Sequence, residues 1–278
     1  MRLRSPSNAT EERMNHMTRT AETMLRAALG LTFVLTPVAA GRTLEATAQE
    51  RAAPSAARPG AQTDASSAPE AADRTPYDRA IQRYSEAIRR RPDDADAIYA
   101  RGLLFSQKGD LKRAVADFTT ALRLRPDNAE ILYNRAIAYH TAGEIERAVA
   151  DYTEAIRLKP DDAAAWYNRG NARHDQGDAA GAVADYTESI RLQPDYPITF
   201  YNRGVVYARQ GDLERATADF TQAIRLKPNY VNALFSRGTA YKSLGDRERA
   251  VADFRRTLAL DPNHARARES LLALGEKP

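Results

Sequence analysis

The residues with chemistry to offer are few in kind and regular in place. The 278-residue chain has no cysteine, which removes disulfides, thiolate metal sites, thiol nucleophiles and a lipid-bearing cysteine. Of its four histidines, His140 and His174 are separated by an interval that recurs along most of the chain. On equivalent packed helices that spacing separates them by about 10 Å or more, too far to share one ion, so we expect no metal and assign both to polar surface. No phosphate-cradling, dinucleotide, zinc-protease or nucleophile-elbow motif is present. No acid, base and nucleophile converge, so neither a cofactor nor an enzyme is expected. What recurs at the same interval are three ladders. Tyr99, Tyr133, Tyr167, Tyr201 and Phe235 form the first, and Asn134, Asn168 and Asn202 the second. The third pairs Arg101, Arg135, Arg169, Arg203 and Arg237 with Asp117, Asp151, Asp185, Asp219 and Asp253. Aromatic rings offer apolar faces with few rotors to freeze. An amide matches both halves of a peptide group, and arginine with aspartate suits bidentate ion pairs.

The elements that must hold these residues follow from the same period. Prolines stand at 92, 126, 160, 194, 228 and 262. With proline as position 32, five units span 95–128, 129–162, 163–196, 197–230 and 231–264 without a gap. Position 8 is small (Gly102, Ala136, Gly170, Gly204, Gly238), and position 20 is always alanine, from Ala114 to Ala250. Large residues sit beside them, with Phe118, Tyr152, Tyr186, Phe220 and Phe254 at position 24. Small against large at helical spacing lets antiparallel helices interdigitate, each buried large side chain contributing about 1.5–3 kcal/mol. Position 15 is glycine in every unit and an acid follows it, which marks a left-handed turn and then a helix start. Asp93, Asp127, Asp161, Asp195, Asn229 and Asn263 are expected to start the first helix of the next unit. The pattern is helix, turn, helix.

With its 34-residue unit, small positions 8 and 20 and final proline, residues 75–278 resemble the tetratricopeptide-repeat (TPR) family. The resemblance implies an all-α, right-handed superhelical solenoid of antiparallel helix pairs. Residues 75–94 supply a half unit with only a second helix, in which Ala80, Tyr84 and Ala87 hold positions 20, 24 and 27. Residues 95–264 are five full repeats, and 265–278 form a capping helix, giving twelve helices. In TPR proteins the leading helix of each pair lines a concave groove, so Tyr99, Tyr133, Asn134, Tyr167, Asn168, Tyr201, Asn202 and Phe235 are the expected partner-binding residues. The asparagines resemble the peptide-holding ladder of O-linked GlcNAc transferase. Equally, the Tyr–Asn pairs can be repeat consensus that stabilises helix contacts. The family's carboxylate clamp needs basic residues at positions 2 and 5, and this chain lacks them. The arginines at position 7 are expected to form a structural ion-pair ladder, with a phosphate-binding stripe as the alternative. The unit 163–196 departs from the rest, with Arg173 in place of an aromatic at position 11 and Gly181 in its second helix. It is the expected weak link of the array.

Residues 27–41 run without a charge after Arg19 and Arg26 and reach Val38-Ala39-Ala40, as in a secretory signal peptide cleaved after Ala40. Fifteen uncharged residues fall short of a membrane span, so no stable span is expected after cleavage. Met14, Met17 and Met24 offer later starts. Residues 1–40 therefore read as signal peptide and 41–74, rich in Ala, Pro and Ser, as a disordered linker. Net charge is only +4, and residues 75–278 carry 32 basic against 29 acidic side chains, which is no nucleic-acid footprint. The sequence therefore points to an exported, periplasmic or secreted scaffold holding an extended segment of a partner protein or peptide. Groove binding of an envelope polysaccharide or nucleic acid is the alternative.

Overall fold

The computed structural model describes residues 75–278, so the signal-peptide and linker assignments lie outside the described residues. Twelve helices and no strand are present among the described residues. They are α1 (Pro76–Arg90), α2 (Ala95–Gln107), α3 (Leu111–Leu124), α4 (Ala129–Thr141), α5 (Ile145–Leu158) and α6 (Ala163–Gln176). The series continues with α7 (Ala179–Leu192), α8 (Pro197–Arg209), α9 (Leu213–Leu226), α10 (Val231–Ser243), α11 (Arg247–Leu260) and α12 (Ala265–Ala273). Each helix packs on the next. The leading helices of successive units also touch, α2 with α4, α4 with α6, α6 with α8 and α8 with α10. Elements that crowd together on one side of a curving stack form its inner wall. The architecture is an all-α solenoid.

Packing within a unit rests on the close crossing at position 8. A Cβ added to Gly102, Gly170 or Gly204 would lie 2.8 Å from the ring at position 24, nearer than a side chain can approach. Ala114, Ala148, Ala182, Ala216 and Ala250 are fully buried opposite, and the position-24 rings are at most 1% exposed. The position-15 glycines have φ of 77° to 88°, the left-handed conformation that other residues enter at a cost. Asp110, Asp178, Asp212 and Asp246 then cap the trailing helices, while Glu144 makes no side-chain cap bond.

The leading-helix caps correct the sequence reading by one residue. The proline and the residue after it make a turn, so Asp93 and its equivalents sit in the turn and the next residue becomes the cap. Asp94, Asn128 and Asp162 accept from backbone N–H groups of the first helical turn, and His264 does so through Nδ1. Tyr196 and Tyr230 hold the same place in α8 and α10 without a side-chain bond.

Candidate binding groove

The position-5 rings lie half-buried on the leading helices, each against the fully buried ring at position 24 of its own unit. Centroids are 5.8 Å apart for Tyr99–Phe118, 5.9 Å for Tyr133–Tyr152, 6.1 Å for Tyr167–Tyr186, and 5.8 Å for both Tyr201–Phe220 and Phe235–Phe254. One face of each ring is therefore taken by the protein. Burial pushes the Tyr133 hydroxyl up to about 12 and that of Tyr167 upward as well.

The asparagines are bonded to those tyrosines across the unit boundary. The Nδ2 groups of Asn134 and Asn168 donate to the hydroxyls of Tyr99 and Tyr133 at 2.8 Å, and that of Asn202 donates to Tyr167 at 3.1 Å. Asn134 also donates to the Glu130 carbonyl, and Asn202 to Asn171 Oδ1. Asn168 is buried. The donor half of each amide thus stitches its unit to the one before. The acceptor half, Oδ1 of Asn134, Asn168 and Asn202, has no protein donor among the described residues. Beyond unit 197–230 the pattern changes, because Ser236 replaces the asparagine. Tyr201 instead packs on Tyr230 at 5.1 Å and Phe235 on His264 at 4.7 Å.

The arginines and aspartates meet inside the helix pairs. In every unit the Nε and Nη2 of arginine donate to the two carboxylate oxygens of aspartate, at 2.7–2.8 Å. These bonds raise the already high pKa of Arg101, Arg135 and Arg237, against the opposing effect of burial. The third guanidinium nitrogen reaches back one unit. Nη1 donates to the hydroxyls of Ser85, Thr119, Thr153, Thr187 and Thr221 at 3.0–3.1 Å. Sequence inspection missed these hydroxyls, although one precedes every arginine at the same constant offset. With three nitrogens engaged and the side chains largely covered, no open fork is left for a phosphate.

His140 and His174 join a polar row. His140 Nε2 lies 2.9 Å from Asp175 Oδ2, and Arg209 Nη1 lies 2.8 Å from His174 Nε2. Among the described residues no group of three or more His, Asp or Glu side chains could hold a metal ion, and no helix is long and apolar enough to cross a membrane.

Comparison with known proteins agrees with this geometry. The TPR repeat model matches residues 76–109, 102–143, 138–177 and 170–211, and tetratricopeptide repeat models match 197–230 and 231–264. No curated protein matches the chain. The structure is similar to that of YrrB, a TPR protein with an unusual peptide-binding site, at 20% identity, 68% coverage of this chain, 98% of that one and a TM-score of 0.61. It is similar to MamA at 27% identity, 59% and 96% coverage and a TM-score of 0.57. MamA from Desulfovibrio magneticus RS-1 gives 18% identity, 67% and 97% coverage and a TM-score of 0.56. With repeat models matched along 76–264 and the same helix-pair solenoid in these neighbours, the chain belongs to the tetratricopeptide-repeat family.

Proposed function

We propose that the protein is an exported scaffold that holds an extended segment of a partner protein along its inner wall and so assembles or positions a complex. The observation that carries this reading is the orientation of the asparagine amides. Their N–H groups are committed to the tyrosines of the preceding unit, which fixes the rotamers and leaves one carbonyl acceptor per unit across Asn134, Asn168 and Asn202. A row of fixed acceptors suits the N–H groups of an extended backbone and ignores its side chains. The peptide-binding site of YrrB supports the reading by fold alone. Export rests on the uncharged run before Ala40, and binding rather than catalysis on the lack of any convergent acid–base set.

The test separates the amide's two roles. Replacing Asn134, Asn168 and Asn202 together with alanine removes both the stitch and the acceptors. Replacing Tyr99, Tyr133 and Tyr167 with phenylalanine removes the stitch and leaves the acceptors. Stability, followed by thermal unfolding, should drop in both. Capture of the partner from envelope extracts, assayed well below either Tm, should fall furthest in the asparagine variant and less in the tyrosine variant, where the acceptors remain but lose the bond that orients them. Equal capture by both would reduce the ladder to a structural device.

A further inference from the structure

Among the described residues, the solenoid begins on a trailing helix with no leading helix of its own unit. Positions 20, 24 and 27 of the five full units are at most 2% exposed, because the leading helix of the same unit covers them. In α1 the corresponding Ala80, Tyr84 and Ala87 are all only half-buried, and no residue of that helix is fully buried. The other side of α1 is docked normally. Ile81 and Ile88 pack into the first core cluster, and Ser85 accepts from Arg101. The turn that would fold a leading helix back onto α1 is also different. Every full unit has a glycine at position 15 with φ of 77° or more. The same place here is Thr75, with φ of −59°, whose side chain forms a capping box with Asp78. The charge on the open face is inverted as well. Position 23 is aspartate in all five units, paired with the arginine of the covering helix, but in α1 it is Arg83.

We propose that the open face of α1 docks one helix of a partner protein, and that this helix carries a glycine or alanine over Tyr84 with an acidic residue just before it, facing Arg83. The five internal units supply the template. What covers a position-24 ring is a helix with a small residue above it, preceded by a side chain whose charge is opposite to that at position 23. A second copy of this chain fits poorly. Its last described helix, α12, presents Leu272 where the small residue belongs and Leu271 where the acid belongs. Leu272 is 58% exposed, and Leu271 is fully buried in its own cap. The surface lies at the end of the array and is separate from the inner-wall asparagines, so it stands whether or not they bind a peptide.

The probe is a helix-stapled peptide with the sequence of α2, Ala95–Gln107, in native form and with Arg101→Glu, measured by fluorescence anisotropy against the full chain and its Arg83→Asp variant. The wild-type chain should prefer the glutamate peptide by about fivefold, and Arg83→Asp should reverse the preference toward the native peptide. Tyr84→Glu should abolish binding of both, with the circular dichroism of the remaining helices retained. Because Arg83 is exposed, its replacement does not threaten folding. Equal affinity of the two peptides, or a preference that Arg83→Asp leaves unchanged, would overturn the proposal. So would concentration-dependent self-association that α12 truncation relieves, since a second copy would then occupy the face.

Discussion

Units 163–196 and 197–230 are neighbours that close the same helix pair by different means. In the second, Tyr207 fills position 11, and Arg215 from position 19 lies over its ring at 4.4 Å while bonding to the cap Asp212. In the first, position 11 is Arg173 and position 19 is Gly181. Arg173 bends across the space that the missing arginine leaves and donates to Asp185 at 3.0 Å, beside Arg169. Asp185, 1% exposed, therefore serves two guanidinium groups. A Cβ on Gly181 would meet Asp178 Oδ2 at 2.0 Å and Arg173 Cδ at 2.9 Å. The glycine is thus half of a paired exchange, not simply a helix-weakening residue. The polar character extends further, because Tyr186 donates to Asn171 Oδ1 at 2.7 Å, and the same oxygen accepts from Asn202. Positions 11 and 19 of the unit change together because they share one volume.

The largest difference between the two units should come from their aspartates. Asp185→Ala strands the buried Arg169 and takes one carboxylate from Arg173, and should cost about 4–5 kcal/mol, whereas Asp219→Ala affects Arg203 alone and should cost about 2–3 kcal/mol. Urea unfolding of the two variants checks this, and equal losses would dissolve the contrast. Next in size is the exchange itself. Arg173→Tyr and Gly181→Arg should each be neutral or destabilising alone, yet together restore the stacked pair, with a coupling of about 1–2 kcal/mol in a double-mutant cycle. In the unaltered protein the amides of α7 should exchange faster than those of α9, and the double variant should narrow that gap. Additive behaviour would mean that the two positions are independent.

The smallest effect is in pH dependence. Burial, helped by the Arg209 guanidinium, holds His174 below its ordinary 6.5. The unfolded chain then binds the proton more readily than the folded one. Stability is full above about 6.5 and falls as pH drops toward the folded value, by an amount that solvent screening keeps small at this half-buried site. The hydrogen bond from His140 holds Asp175 below 3.8, so its contribution is lost only in stronger acid and does not enter this window. His174→Gln should flatten the slope between pH 7 and 5 in thermal unfolding. The neighbouring unit has Ala208 at that position, so unit 197–230 adds no histidine slope of its own.

The parts legible in the sequence were those that repeat in place. Overlaying the units proline on proline exposes the small residue at position 8, the glycine turn and the Arg–Asp pair, because all their partners lie within one unit. The same overlay hides bonds that cross a boundary. Tyr99 and Asn134 bond to each other but occupy different positions of different units, so each looks like an independent ladder. The threonines under the arginines escaped for the same reason. Cap placement missed by one residue because Asp93 and Asp94 are equally good capping types, and only the proline turn decides between them. The Arg173–Gly181 exchange read as two defects, since composition at a single position carries no record of the volume it shares.

The backward-reaching nitrogen of each position-7 arginine has a mechanical consequence. One planar group clasps the two helices of its own unit and the trailing helix of the previous one, so pulling a unit from the end of the array tears a clasp belonging to its neighbour. The series stops only at Arg255, which stands in the threonine's place and grips Glu276 after the last helix. Drawn from its two ends, such a stack should give way in one long rip instead of shedding units stepwise like beads from a string.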